Sequence, residues 1–182
     1  MANRGGLGRH ACCAYVALAL VALAACASRS EWRDGRFSHA KLGGSLGDLA
    51  ALEPGWQRES APGAALAFRH ADGSRASWVR ECRGVEAKPR ALGRALWIAL
   101  PGGVIEEGAA LEVAGLPAWR FAGRAQDGAH ALCVESITRV AKRCEDSWLL
   151  VVPHSELHHR EAFEQWLGGF ADGGPAGGGR AP

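Results

Sequence analysis

The chain has one methionine, one tyrosine and only three lysines, Lys41, Lys88 and Lys142. Its 21 basic residues are therefore mostly arginine, which with the abundant alanine and glycine reads as genome base composition rather than chemistry. No excess of charge exists, since 19 acidic residues nearly balance the basic ones. Nothing in that balance favours nucleic acid, whose binding needs a clustered basic surface, so no nucleic-acid partner is expected. A CxxC pair and a Cys/His metal-ligand spacing are both missing, so neither a metal nor another cofactor is expected. No repeat of solenoid type is present. Outside residues 11–25 there is no long apolar run, and that one is about 15 residues against the roughly 20 needed to cross a bilayer.

The organising feature is that single run. Ala11 to Ala25 is apolar throughout, with Arg4 and Arg9 ahead of it and Cys26 directly after it. A basic start, an apolar centre and small residues before a cut site are the features of a secretory leader. The twin arginines of the alternative export route are absent. Leu23-Ala24-Ala25-Cys26 resembles the bacterial lipobox. The resemblance implies lipidation of Cys26, palmitate included, with cleavage before it, so residues 1–25 are expected to be a lipoprotein signal peptide. Three acyl chains, at about 0.8 kcal/mol per buried methylene, would exceed the two signals that stable anchoring takes. Ala27 stands where an aspartate favours inner-membrane retention in enteric bacteria, so delivery to the outer membrane, facing the periplasm, is expected.

Removing residues 1–25 also removes Arg4, Arg9, Tyr15, Cys12 and Cys13. The remainder is near neutral and has the length of one ordinary domain with tails. With Cys26 lipidated, Cys82, Cys133 and Cys144 remain. An oxidising compartment favours one disulfide and one leftover thiol. Cys82–Cys144 is the favoured pair, because both residues end apparent strands beside charged turns. Cys133 lies within a strand-like run and reads as a small buried hydrophobe.

Residues 26–38 read as a polar tether, with Trp32 and Phe37 docking on the fold. Gly43 to Ala50 is glycine-rich, with a turn of helix possible at 46–52. Leu66, Phe68 and His70 alternate with Ala67 and Arg69, Asp72-Gly73 signals a hairpin, and Ser77 to Cys82 returns with Trp78, Arg80 and Cys82 on one face. Pro89 opens a helix expected over 89–100, stopped by Pro101-Gly102-Gly103. The period then changes to two. Val104-Ile105 and Leu111 to Val113 read as short strands, followed by 118–124, by 130–140, and by Trp148 to Val152. The last is nearly continuously apolar and so is expected in the middle of the sheet. Phe163, Trp166, Leu167 and Phe170 mark a closing helix expected over 155–170, with Ser155 able to cap it. Residues 171–182 are Gly/Pro-rich and read as a disordered tail. Trp78, Trp97, Trp119, Trp148 and Trp166 fall at core positions.

Together these elements predict an α+β domain over residues 39–170, an antiparallel sheet of about five to seven strands packed against two helices that cover one face. The run Leu116 to Phe121, the long strand after it, Trp148 to Val152 and the helix bearing Phe163, Trp166, Leu167 and Phe170 resemble the PsbP-like (DcrB-like) fold in order and pattern. Many extracytoplasmic lipoproteins resemble that fold. The resemblance implies an accessory or binding role and no shared catalytic set.

Three constellations bear on chemistry. Gly43-Gly44-Ser45-Leu46-Gly47 matches the G-x-S-x-G nucleophile elbow, which needs a preceding buried strand and a sharp turn into a helix. That makes a small envelope serine hydrolase using Ser45 the alternative reading. His154 and His158 are four apart near the last helix and could share a metal only if both lie on it. A histidine there is expected to hold its proton less tightly, because the helix dipole disfavours positive charge. Glu106-Glu107 and Glu145-Asp146 are adjacent carboxylates and read as solvated turn charges; adjacency does not place two carboxylates across a cleft. The overall expectation is a non-enzymatic, lipid-anchored envelope protein that binds an envelope partner or an apolar ligand. No catalytic residue is assigned.

Overall fold

Period-two alternation dominates the chain, and in the computed structural model it becomes two antiparallel sheets. The structure describes residues 30–39, 43–82, 84, 86–142, 144–153 and 156–172. Cys26, His154, Ser155 and most of the expected tail lie outside the described residues, as does the leader.

The small sheet joins β1 (Glu31–Arg33), β2 (Arg36–Ser38) and β3 (Ser45–Gly47). The stretch expected as a tether thus supplies two strands. Asp34 and Gly35 both take positive φ, 52° and 71°, which is what a two-residue hairpin turn demands. Phe37 is buried, with its ring edge-on to Trp78 at 6.3 Å. Where a helical turn was expected at 46–52, β3 is followed by a short 3-10 turn, Leu49–Ala51, capped by the Asp48 side chain on the Ala50 N–H.

The main sheet has seven strands: β4 (Trp56–Glu59), β5 (Leu66–His70), β6 (Arg75–Cys82), β7 (Val104–Val113), β8 (Leu116–Asp127), β9 (His130–Ala141) and β10 (Cys144–Val152). Their order is β4-β5-β6-β10-β9-β8-β7, every pair antiparallel, with β10 in the centre as its apolar run predicts. The two short strands expected at 104–113 are one strand, with a register shift between Ile105 and Glu107. Gly123 sits opposite that irregularity, where any Cβ would strike the Val104 carbonyl oxygen, so only glycine lets the edge strand close on β8.

Two helices complete the domain, α1 (Pro89–Ala99) and α2 (Arg160–Gly168). The helix expected at 155–170 is thus shorter at both ends. The helices lie on opposite faces of the sheet, not on one. Trp148, Leu150 and Val152 of β10 join Trp78, Ile137, Phe163 and Trp166 under α2, whereas Leu149 and Val151 join Val134, Phe121 and Trp97 under α1. The physical reason is in β10 itself. Both parities of that strand are apolar, and each needs its own cover. Phe163, Trp166 and Leu167 are all buried, each contributing on the order of 1.5–3 kcal/mol of transfer free energy.

Candidate functional site

Two polar assemblies stand out, one inside the sheet's α2 face and one at its corner. The interior assembly follows from strand register. Asp146 on β10 lies opposite Arg80 of β6 on one side and Arg139 of β9 on the other. Asp146 and Arg139 are fully buried. Arg139 Nη2 donates to Asp146 Oδ2 at 2.6 Å, and Trp78 Nε1 donates to Oδ1 at 3.0 Å. Arg80 Nη1 lies 3.5 Å from Oδ1, and Asp172 pairs with Arg80 at 3.0 Å and Arg139 at 3.4 Å. The Arg139 guanidinium also stacks 4.6 Å from the Phe170 centroid. Two arginines face two aspartates, so the charges cancel. Further along β9, Glu135, also fully buried, accepts from Arg160 Nε at 2.7 Å. Burial pushes the Glu135 carboxyl above its ordinary range, and the Arg160 bond only partly offsets this.

Asp146 was expected to be a solvated turn charge, and this is corrected. β10 begins at Cys144, four residues earlier than its apolar run, so Asp146 shares the face of Trp148 and Leu150. The signal was available. Arg80 shares a face with Trp78, and a tight turn after Ala141 brings Arg139 opposite Asp146. Its neighbour Glu145 sits on the other face, half-buried beside the Ser147 hydroxyl, and burial raises its carboxyl too.

The same register places Cys144 opposite Cys82, and the two form a disulfide with Cα atoms 4.0 Å apart. Cys133 is buried and free, its thiol pushed up by burial. Ser45 does not stand at a nucleophile elbow. It opens β3, exchanges backbone hydrogen bonds with Ala171, and its hydroxyl accepts from Arg36 Nη2 at 3.3 Å. The strand follows the serine rather than preceding it, and the segment ends in the 3-10 turn instead of an α-helix. That geometry removes the support for the hydrolase alternative.

The corner assembly joins residues that sequence reasoning did not connect. His70 ends β5, Asp72 lies in the hairpin turn before β6, Glu53 follows the 3-10 turn, and His159 caps α2. His159 Nε2 is 2.9 Å from Asp72 Oδ2, and its Nδ1 is 2.8 Å from Glu53 Oε1. His70 Nδ1 is 2.9 Å from Asp72 Oδ1, and its Nε2 is 3.3 Å from the Pro54 carbonyl oxygen. Trp56 packs on both imidazoles, with centroids 5.2 and 5.1 Å away, and its Nε1 donates to Glu53 Oε2. Burial opposes charge on His159, but the bonds to Asp72 and Glu53 outweigh it and raise its proton affinity. Against the opposing effect of burial, the bonds from His159 and Ser74 hold Asp72 well below the ordinary carboxylate range, and the bonds from Trp56 and His159 hold Glu53 below it. The lowered affinity expected from the helix dipole is therefore reversed at His159, because two carboxylates flank the ring. His158 is exposed, so the corner is built on the neighbouring histidine.

No helix among the described residues is long and apolar enough to cross a membrane. Comparison with family models and with curated proteins finds no match. Solved structures are similar in shape. Cyanobacterial PsbP (CyanoP) of Synechocystis matches with a TM-score of 0.54 and 12% identity, over 94% of this chain and 98% of that one. LpqN, involved in cell envelope biogenesis of Mycobacterium tuberculosis, matches with a TM-score of 0.52 and 13% identity, over 69% of this chain and 79% of that one. A Bacteroides thetaiotaomicron protein matches with a TM-score of 0.50 and 11% identity; the shared part covers 71% of this chain and 44% of the other. Seven antiparallel strands with helices packed on them, in this arrangement, make the fold PsbP-like.

Proposed function

We propose that the chain is a lipid-anchored envelope protein whose domain serves as a non-enzymatic accessory to a transport or assembly system. The observation that carries this is the combination of a PsbP-like fold with an apolar run ending in the lipobox-like Leu23-Ala24-Ala25-Cys26. LpqN, of similar shape, is involved in cell envelope biogenesis, which supports an envelope role. The interior charges pair with each other, and Ser45 lies in a strand, which supports a binding rather than a catalytic task. The lipid on Cys26 would supply the membrane attachment, with the outer membrane favoured by Ala27. A protein partner or an apolar ligand would be met by the domain surface, where Ile98 and Val104, 81% and 58% exposed, flank the Pro101–Gly103 turn.

The test is metabolic labelling with an alkyne palmitate followed by membrane fractionation. The expected result is label on the wild-type chain and loss of both label and membrane association in Cys26→Ala. Label persisting in Cys26→Ala would overturn the proposal.

A further inference from the structure

Three potential ligands meet at the corner of the sheet. One ligand atom each from His70, Asp72 and His159 lies within 4.8 Å of the others. We propose that these three residues bind one divalent d-block cation of the zinc type, with Glu53 and the Pro54 carbonyl orienting the two imidazoles from outside. The site is independent of membrane anchoring and of any partner.

Orientation of the rings carries the inference. Each imidazole has one nitrogen on a fixed acceptor. For His159 it is Nδ1 on the Glu53 carboxylate at 2.8 Å; for His70 it is Nε2 on the Pro54 carbonyl at 3.3 Å. A carbonyl or carboxylate oxygen can only accept, so those nitrogens can keep their protons when a metal binds. His159 Nε2 and His70 Nδ1 are then the two nitrogens left to coordinate it. Both of these lie 2.9 Å from oxygens of the same Asp72 carboxylate. The Asp72 backbone N–H also approaches His70 Nδ1, at 3.4 Å. In the metal-free chain a proton lies between each of these nitrogens and Asp72, and a divalent cation bound to all three would take the place of those protons. Metal-bound histidines as a rule give their second nitrogen to a carboxylate or a backbone carbonyl, and here both histidines do so.

Local backbone supports the same placement. His159 takes a left-handed conformation, φ 65°, at the cap of α2, yet its side chain makes no capping bond to the helix. Capping therefore does not account for its geometry, and its ring is aimed into the corner instead. At Gly55, φ is +103° and a Cβ would overlap the His70 ring, so glycine lets the loop from Glu53 close over that imidazole. Bonds of about 2.0–2.1 Å set tetrahedral ligands about 3.4 Å apart, so the present positions need to adjust by about an ångström. Two imidazoles and a carboxylate suit Zn²⁺ and leave a fourth, tetrahedral position for water.

The experiment uses the full chain in detergent, freed of metal by chelation and dialysis, then titrated with Zn²⁺ by calorimetry and with Co²⁺ by absorption. One equivalent of Zn²⁺ per chain is expected, with Co²⁺ showing the intense visible bands of a four-coordinate site. His70→Ala and His159→Ala should each abolish that saturable binding. Glu53→Gln, which leaves every ligand in place, should weaken it about 10–100-fold. Near-ultraviolet circular dichroism reports whether each variant keeps its packed tryptophans. Should an alanine variant lose that signal, Asp72→Asn and the imidazole proton resonances of the wild-type chain decide, because His70 and His159 must be the rings that shift with Zn²⁺. Absence of saturable binding, or binding unchanged in Asp72→Asn and Glu53→Gln with other rings shifting, would overturn the proposal.

Discussion

Asp146 and Asp72 are the same residue type with comparable partners, and they sit in opposite settings. Both oxygens of Asp146 are taken by permanent donors, Arg139 and Trp78, in a site with no solvent access. The Asp72 oxygens face two imidazole nitrogens, with the Ser74 N–H also donating to Oδ1 at 2.8 Å, and its side chain keeps 27% of its accessibility. Arginine cannot give up its charge in a protein, so the interior assembly has one state. Imidazole can carry a proton, lose it or bind a metal, so the corner has several. The first arrangement holds strands together, and the second is where a ligand can enter.

The largest expected effect breaks the interior. Asp146→Ala leaves two buried guanidinium groups with only the partly exposed Asp172, strands the Trp78 N–H, and should cost about 3–5 kcal/mol in urea unfolding. A loss under 1 kcal/mol would mean that the network is not coupled to packing. Next comes the covalent neighbour of that network. Cys82 and Cys144 are separated by 62 positions, so reducing their disulfide should cost about 4 kcal/mol by the chain-entropy account, read as a lower denaturation midpoint with reductant. Asp72→Asn sharpens the contrast, since it should cost only about 1 kcal/mol in the metal-free chain, because partly exposed charge pairs are screened. A cost equal to that of Asp146→Ala would erase the distinction drawn between the two sites.

The smallest effect concerns pH. Burial raises the Glu135 carboxyl above its unfolded value, so its neutral form is the one favoured by folding. That contribution is fully present below the ordinary glutamate range and is lost as pH rises through the raised value. Glu135→Gln keeps a neutral group at every pH and should flatten the stability profile in that window. A variant whose profile parallels the wild type would show that Arg160 compensates the charge.

Much of the fold is legible in the residues, and what is not has identifiable causes. Alternation reveals the strands from Leu66 to Val152, and the apolar run from Trp148 reveals which is central. Strand ends beside charged turns point to Cys82 with Cys144. The opposite placement of the helices is written in Leu149 and Val151, which alternation read from one face ignores. The buried Asp146 sits next to Glu145, and the signal that separates them is the register that sets Arg80 and Arg139 on either side of Asp146. The corner is least legible. Asp72 and His159 are 87 positions apart, and Glu53 and His159 are 106 apart, so only the folded sheet brings them together. Trp56 also resists sequence reading. It is 3% exposed, part of the core on the α2 face and packed against two histidines at its corner.

The contrast between a holding site and a binding site meets its most direct test in the thermal midpoint of the full chain with and without Zn²⁺. A ligand that binds only the folded state raises the midpoint. Zn²⁺ should therefore raise it in the wild type and leave it unchanged in His159→Ala. A midpoint insensitive to Zn²⁺ in the wild type, or raised equally in both chains, would contradict the account.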